Sequence, residues 1–328
     1  MVTVNLHTHL EGCVRLETAA ELASQTGVEP PGGSWDDALV MRVPSDLTIF
    51  LNHVAAAYPL LGSHAALSRV AREAVVDSAA DGCRFCELRF GPLTHVRPGF
   101  DVDAVIAAVC EGVASGVQET GIAAGVVVCA LRHHDEEANI ALARAAARHA
   151  GAGVVGFDVA GDELLFPDLG PFIRPFQCAA AAGLGLTAHV AEAGPAGNVR
   201  DAHETLGVRR IGHGTRLGGD AEVLAWSVDH GMCLEVCATS NVFTGAARAV
   251  ASHPIHVFLG AGCNVVLGDD NPITIDTCLS REVSALEDAG LTRAQLSSIE
   301  ATAIEFAFCE PSVRTQLRLE AASPPASG

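Results

Sequence analysis

The chain has 328 residues, of which 49% are hydrophobic, and its formal net charge is -19 at pH 7. The length and apolar content suit one large core, and the negative charge with scattered basic residues argues against a nucleic-acid partner. All 20 basic residues are arginine, so chemistry that needs a lysine Schiff base or a lysine-derived metal ligand is excluded.

The first residues lack the features of a targeting segment. Residues 1–12 have no basic flank, and His7 and His9 interrupt their apolar run, unlike a secretory signal peptide. The longest apolar stretches, such as residues 121–131, are shorter than the roughly 20 residues that span a membrane. Eleven cysteines at irregular spacing do not suggest a disulfide framework. We therefore expect a cytoplasmic protein with no membrane partner.

Short β-type runs alternate with alanine-rich helical stretches, which is typical of a parallel sheet built from βα units. The predicted strands cover residues 2–7, 83–89, 123–129, 154–159, 184–189, 209–213, 232–237 and 263–267. Eight such units predict an α/β fold, a single (β/α)8 TIM barrel spanning residues 1–320, with a doubly wound open sheet as the alternative.

The connection between the first two strands, residues 11–81, is too long for one crossover helix and predicts extra helices inserted after strand 1. Within it, residues 30–33 indicate a loop, and residues 46–58 a helix that forms part of a substrate lid. Cys83 and Cys86 have C-x-x-C spacing, but their apolar surroundings favour a buried strand over a zinc or dithiol site. Residues 321–328 predict a disordered tail.

Ionisable side chains collect at or just after the C-terminal ends of the predicted strands. They are His7, His9, His189, His213 and Asp270. In a barrel this rim is the catalytic face. His7 and His9 lie two residues apart, and the period of a strand points both imidazoles to the same side, toward the barrel axis.

These side chains have the composition of a metal centre. With His189 and an aspartate after strand 8, the two histidines of strand 1 offer three nitrogens and one oxygen, a set suited to zinc or a similar divalent ion. Such an ion lowers the pKa of a bound water to near 7. Glu192 follows His189 closely and is placed to exchange a proton with a substrate, and His213 to orient or deprotonate the water.

Seven short stretches hold these residues and their neighbours. They read Leu-His-Thr-His-Leu-Glu-Gly from residue 6, Glu-Leu-Arg-Phe from 87, Val-Gly-Phe-Asp-Val-Ala-Gly-Asp-Glu from 155, His-Val-Ala-Glu from 189, Arg-Ile-Gly-His-Gly from 210, Thr-Ser-Asn from 239 and Asp-Asp-Asn-Pro from 269. Together, over residues 7 to about 282, they resemble the adenosine deaminase family. The resemblance implies attack of an activated water on C6 of an adenine-type purine and loss of ammonia.

The resemblance also implies which residues hold the metal and move the protons. The metal ligands would be His7, His9, His189 and Asp270, around one divalent cation expected to be zinc. Glu192 would donate a proton to purine N1, and His213 would serve the attacking water. A register with Asp269 as the ligand requires a one-residue insertion and stays open.

Four positions correspond to substrate contacts in the family: His9, Glu11, Gly161 and Asn271. Glu11 would meet the ribose hydroxyls, and the Gly161 N–H would meet purine N3. Asn271 replaces an aspartate that contacts purine N7, and an amide can donate there without first gaining a proton.

Two further positions depart from the family pattern. Ala191 replaces a glycine beside the proton donor, which narrows the space there by a methyl group. Gly91 stands where serine is frequent, and the sequence suggests no function for the change.

The expected partner is therefore a small-molecule purine, adenosine or a close analogue. Free adenine and an intermediate such as aminodeoxyfutalosine are alternatives, whereas a nucleotide is disfavoured because no arginine cluster lies near the motifs. The sequence also leaves open a phosphoesterase that begins with H-x-H, a zinc deaminase of the H-x-E and C-x-x-C class, and a barrel that binds metal without turnover. Retention of Glu192 and His213 favours an enzyme. The sequence carries no signal for an oligomeric state.

Overall fold

The computed structural model describes residues 2–322, which contain an eight-stranded parallel sheet with each strand paired to the next along the chain. The strands are β1 (Val4–His9), β2 (Phe85–Phe90), β3 (Ala123–Leu131), β4 (Val154–Ala160), β5 (Gly185–Val190), β6 (Arg210–His213), β7 (Cys233–Val236) and β8 (Asn264–Leu267). All eight predicted strands are present. The first begins and ends two residues later than predicted, so both histidines of the H-x-H motif belong to β1.

The chain after β8 returns to β1 and joins the two edges of the sheet. Thr8 and Asp270 form a parallel bridge. The His9 N–H donates to the Asp270 carbonyl at 2.6 Å, and the Asp270 N–H donates to the His7 carbonyl at 2.9 Å. Sequential strand order and this closure confirm the predicted TIM barrel and rule out the doubly wound sheet, whose strand order reverses midway.

Helices surround the barrel. The described residues form α1 (Leu16–Thr26), α2 (Trp35–Leu39), α3 (Leu47–Ala55), α4 (His64–Ala80), α5 (Val102–Thr120), α6 (Glu136–Arg148), α7 (Ile173–Ala181), α8 (Asn198–Leu206), α9 (Ala221–Asp229), α10 (Ala238–Phe243), α11 (Ile255–Ala261), α12 (Leu279–Asp288), α13 (Arg293–Phe306) and α14 (Pro311–Ala322). As predicted, helices additional to the crossover helix α4 are inserted after β1, namely α1, α2 and α3.

Helix α3 lies beside the catalytic rim of the barrel. Its first turn is capped by Asp46, whose side chain accepts from the Ile49 N–H at 2.9 Å, which satisfies one of the free donors of a helix start. Phe50 is buried, and the Thr48 hydroxyl donates to Asp162 at 2.7 Å. The helix predicted over residues 46–58 is therefore shorter than expected but is attached to the loop that follows β4.

Phe308 fills the opposite end of the barrel. Its ring lies over the Arg210 guanidinium, with 3.9 Å between the guanidinium carbon and the ring centroid. A Cβ atom at Gly156 would lie 2.7 Å from this ring, and one at Gly185 would lie 2.1 Å from it. Glycine is therefore required on two neighbouring strands to make room for the ring. Because the Phe308 ring closes this end of the barrel, the open end is the one at which the strands finish.

The end of the described chain differs slightly from the prediction. Helix α14 continues through Ala322, two residues past the predicted domain boundary at 320, because its buried Leu317 packs against the barrel and holds the helix in place. The rest of the predicted tail, residues 323–328, lies outside the described residues. No helix within residues 2–322 is long and apolar enough to cross a membrane. Cys83 and Cys86 are both buried free thiols.

Candidate metal centre and active site

Three imidazoles converge at the catalytic rim. His7 and His9 come from β1, and His189 comes from β5. The His189 Nε2 lies 3.0 Å from the His7 Nε2 and 3.2 Å from the His9 Nε2. One Asp270 oxygen, Oδ1, lies 3.5 Å from the His7 Nε2 and 3.4 Å from the His9 Nε2. The structure thus brings together the four residues that the sequence suggested as metal ligands.

The other ring nitrogen of two of these histidines faces a buried carboxylate. His7 Nδ1 lies 2.8 Å from Glu235 Oε2, and His189 Nδ1 lies 2.9 Å from Asp158 Oδ2. Burial opposes ionisation of both acids, but neighbouring arginines and these histidines outweigh it, so the pKa of each carboxyl lies below its usual value. A carboxylate oxygen accepts hydrogen bonds, so it favours the tautomer in which the ring nitrogen facing it carries the proton. Both histidines therefore carry a proton on Nδ1.

The donor set fits a divalent cation. With the protons of His7 and His189 on Nδ1, both Nε2 atoms carry lone pairs, and these two atoms lie 3.0 Å apart. The two lone pairs repel each other unless a cation binds to both. Two nitrogens bound to tetrahedral zinc at about 2.0–2.1 Å are separated by about 3.3 Å. Burial lowers the pKa of His9 well below its usual value, so this imidazole is neutral.

Only one of the two adjacent aspartates faces the histidines. Asp270 directs Oδ1 toward them and accepts a hydrogen bond from the Ser240 hydroxyl on its other oxygen. Asp269 instead accepts from the Thr8 hydroxyl, and burial raises the pKa of its carboxyl to about 7. The geometry therefore favours the gapless register, with Asp270 as the ligand.

Glu192 and His213 lie side by side next to this centre. The Glu192 Oε2 and the His213 Nε2 are 3.7 Å apart. The Asn241 amide nitrogen donates to Glu192 Oε1 at 3.1 Å and lies 3.1 Å from the His213 Nδ1, and Thr244 also donates to Oε1, at 2.7 Å. Burial, with repulsion from Asp270, raises the pKa of Glu192 to about 7. Burial likewise lowers the pKa of His213 well below its usual value, so its ring is neutral.

The backbone is strained at three positions of this rim. Ala191, His213 and Asp270 have φ values of 55°, 67° and 61°, in the left-handed region that disfavours residues with a Cβ atom. Glu163 holds the loop that contains Ala191 by accepting from its N–H at 2.9 Å. The expectation that Ala191 merely narrows the site is therefore incomplete, because the alanine also occupies a conformation suited to glycine.

A cavity of about 250 Å³ opens beside these groups, and its lining includes Glu11, Gly161 and Asn271. Glu11 is buried, and its Oε1 accepts from the Gly91 N–H and from His95 Nε2, both at 3.0 Å. The three predicted substrate-contacting residues beyond the metal centre thus lie around one space. The wall opposite the metal centre comes largely from α3.

The Asn271 side chain is held at the boundary between cavity and metal centre. Its amide nitrogen donates to Asp270 Oδ1 at 2.8 Å, which leaves one amide hydrogen for a ligand. A Cβ atom at Gly12 would clash with the Asn271 Oδ1. Glycine at the end of the Leu-His-Thr-His-Leu-Glu-Gly stretch therefore permits this close packing. Gly161 has a φ of 111°, a conformation that favours glycine.

Several residues of the site had no assigned role in the sequence. Arg89, Asp158, Glu163 and Asn241 lie in the stretches that carry the family resemblance, but nothing in the sequence indicated their contacts. Glu235 was missed entirely. It lies in the otherwise apolar strand predicted over residues 232–237, and a carboxylate inside a barrel strand is the signal that would have identified it.

Comparisons with known proteins agree with this architecture. The adenosine deaminase family model matches residues 3–323. The adenosine deaminase of Clostridium perfringens is 30% identical over 325 residues, 96% of each chain. That of Enterococcus faecalis is 31% identical over 312 residues, covering 94% of this chain and 92% of the other. The crystal structure of an adenine deaminase from Arthrobacter aurescens superposes with a TM-score of 0.89 at 26% identity, covering 97% of both chains. The resemblance seen in the sequence is thereby confirmed: the chain belongs to the adenosine deaminase family.

Proposed function

We propose that the chain is a metal-dependent aminohydrolase that removes the 6-amino group of an adenine-type purine without a phosphate group. The observation that carries the proposal is the convergence of three imidazoles and Asp270 beside Glu192, a buried acid whose pKa is raised to about 7. Family membership supports the reaction, and relatives of this chain are named adenosine deaminase and adenine deaminase.

In this proposal, one divalent cation, zinc, is held by His7, His9, His189 and Asp270. When bound, such an ion lowers the pKa of water and supplies a nucleophile at neutral pH. The chain fixes the orientation of two of these imidazoles, because Glu235 and Asp158 face the opposite ring nitrogens of His7 and His189. Carboxylate partners of this kind orient histidine ligands and raise their basicity.

Glu192 is the proton donor to purine N1. Its Oε1 already accepts hydrogen bonds from Asn241 and Thr244, so the acidic proton resides on Oε2. A pKa of about 7 leaves about half of the groups protonated at neutral pH, which suits a general acid. Protonation of N1 withdraws electrons from C6 and prepares that carbon for attack.

His213 orients the attacking water rather than deprotonating it. The Asn241 amide nitrogen faces the His213 Nδ1 at 3.1 Å, so Nδ1 is an acceptor and the ring proton lies on Nε2. A neutral ring with a proton on Nε2 donates a hydrogen bond and has no free lone pair on that nitrogen to take up a proton. The same Asn241 amide therefore directs the proton of Glu192 to Oε2 and the ring proton of His213 to Nε2.

The charge of the cavity argues against a nucleotide substrate. Five carboxyl side chains line it, and no arginine does so among the described residues. The carboxyl groups are those of Glu11, Asp162, Glu163, Glu192 and Asp270. A phosphate would be repelled by such a wall and would lack the guanidinium partners that usually bind it. Adenosine or a close analogue is therefore the expected substrate.

Free adenine is the second candidate, and the wall near Glu11 favours it. A Cβ atom at Gly91 would lie 2.8 Å from a Leu131 methyl carbon, so the Leu131 side chain occupies space that the Cβ atom of a serine at this position would need. Phe50 and Leu51 of α3 line the same cavity. Apart from Glu11, this wall offers a ribose few partners for its hydroxyl groups, whereas a bare purine needs none there.

Ammonia release from adenosine, 2'-deoxyadenosine, adenine and AMP tests the proposal, with bound zinc measured in the same protein. We expect turnover of adenosine or adenine, no turnover of AMP, and loss of activity with retained zinc in Glu192→Gln. Zinc-loaded protein that releases ammonia from none of the four would refute the deaminase assignment. Activity that persists in Glu192→Gln would assign the proton transfer to another group.

A further inference from the structure

Arg89 on β2 is fully buried inside the barrel, beneath the metal-binding histidines. One guanidinium nitrogen, Nη1, donates to Asp158 Oδ2 at 3.0 Å. The other, Nη2, donates to Glu235 Oε2 at 2.8 Å and to the Leu6 carbonyl at 2.6 Å. One side chain thus joins carboxylates from two strands, β4 and β7, and anchors both to the backbone of β1.

The two oxygens that Arg89 contacts are the same two that face the histidines. Asp158 Oδ2 is the atom 2.9 Å from His189 Nδ1, and Glu235 Oε2 is the atom 2.8 Å from His7 Nδ1. The Glu235 contact is a hydrogen bond. The His189 Nδ1 contact does not meet hydrogen-bond geometry, so the directed hydrogen bonds to this Asp158 oxygen come from Arg89 at 3.0 Å and from the Cys129 thiol at 3.5 Å.

We propose that Arg89 is a positioning residue of the metal centre, which raises cation affinity by fixing both carboxylates that orient His7 and His189. The inference rests on the proposed function only through its metal site. A planar guanidinium presents diverging N–H groups and binds two carboxylates at once, whereas a lysine ammonium is a point charge on a flexible stem. Loss of the bridge lets both imidazoles turn away from the geometry that a cation requires.

Arg210 provides a matched control for the structural role that any buried arginine has. It is also buried in the barrel interior. Its Nε donates to Glu235 Oε1 at 2.7 Å, and its other nitrogens donate to both oxygens of Glu87 at 3.0 and 2.7 Å. It contacts neither of the two oxygens that face the histidines. Replacing it therefore perturbs the same buried network without removing the bridge.

The experiment compares Arg89→Lys with Arg210→Lys. Zinc affinity is measured by competition with a chelator, the visible spectrum is recorded after cobalt substitution, and thermal unfolding of the metal-free proteins reports the structural cost. We expect similar drops in stability, a zinc affinity lowered about 10–100-fold in Arg89→Lys, and a smaller loss in Arg210→Lys. The cobalt spectrum should change in Arg89→Lys, because the ligand geometry relaxes.

Two results would overturn the inference: wild-type zinc affinity in folded Arg89→Lys, or equal losses of affinity in the two variants. Asp158→Asn supplies a second test in case Arg89→Lys does not fold, since it keeps the shape of the side chain and removes one bridged charge. The same loss of affinity is expected there, and unchanged affinity would also contradict the bridge. Wild-type protein that binds no zinc would instead contradict the proposed function.

Discussion

The two ends of the substrate cavity are built differently. At the metal end, His7 and His189 face buried carboxylates, and Asn241 holds both Glu192 and His213. At the other end, α3 lines the cavity mainly with apolar side chains, and in the loop after β4 the neighbouring Leu164 and Leu165, which lie outside the lining, are 61% and 65% exposed. The groups that the proposed reaction uses are therefore held by several contacts each, while the wall formed by α3 has fewer polar contacts to hold it.

The difference has an energetic consequence. Removing one partner from a buried charged pair costs about 3–5 kcal/mol, because the other charge is left uncompensated. A hydrogen bond at a partly exposed wall contributes about 0.5–1.5 kcal/mol. Substitutions that remove one partner of a charged pair at the metal end should therefore abolish metal binding or turnover, and substitutions at the wall should only shift the affinity for substrate.

The largest expected effect distinguishes the two adjacent aspartates. Asp270→Asn should lose bound zinc and lower kcat about a thousandfold or more, because an anionic ligand is worth several kcal/mol to such a centre. Asp269→Asn should keep its zinc, because Asp269 contacts Thr8 rather than the histidines, and its raised pKa of about 7 leaves about half of these carboxyl groups uncharged at neutral pH. Zinc content and kcat check both variants, and loss of zinc in Asp269→Asn would support the register with the insertion.

The next effect is on the pH profile. In the proposed reaction Glu192 acts in its protonated form, and burial with repulsion from Asp270 raises its pKa to about 7. As the pH rises above this value the protonated fraction falls, so kcat/KM should decrease on the alkaline side, approaching tenfold per pH unit. A profile measured from pH 5 to 9 checks this expectation. The residual activity of Glu192→Gln should not decrease on the alkaline side. If the alkaline decrease persists in this variant, the titration belongs to another group.

The sequence predicted the barrel and the rim residues because both leave local signals. Parallel barrel strands are short apolar runs, and catalytic residues follow their C-terminal ends, so His189 and His213 were recognisable from their positions alone. Asp270 needed the family pattern as well, because an equally suitable aspartate precedes it.

The partners of these residues were not predictable, because they depend on how distant strands align. Glu11 is oriented by His95, 84 residues away, and His7 by Glu235, 228 residues away. No local pattern encodes the register that brings such pairs together. The left-handed conformation of Ala191 was not predicted either, because alanine itself gives no sign of positive φ, and the glycine that the family has at this position was the one available signal.

At the apolar end, the hydrogen bond between Thr48 and Asp162 joins α3 to the loop after β4. Thr48→Val keeps the shape and removes this bond, which is worth about 1 kcal/mol. KM should rise about fivefold, with kcat nearly unchanged, because the wall loosens while the metal end keeps its contacts. Thr302→Val on α13 removes a hydroxyl that bonds only to the Ser298 carbonyl of its own helix and should leave KM unchanged. A fall in kcat rather than a rise in KM would show that α3 also positions the reacting groups.

The smallest effect concerns stability at the metal end, where preorganisation has a cost. Ala191 is buried with a φ of 55°, a conformation that costs a residue with a Cβ atom about 1–2 kcal/mol. Ala191→Gly should relieve this strain and, after the greater flexibility of glycine in the unfolded chain is subtracted, stabilise the protein by about 0.5–1 kcal/mol. Ala188→Gly is the matched control, because Ala188 is equally buried in the regular part of β5, and it should destabilise. Denaturant unfolding of the two variants measures the difference, and equal destabilisation would mean that the packing of the Ala191 methyl group outweighs its backbone strain.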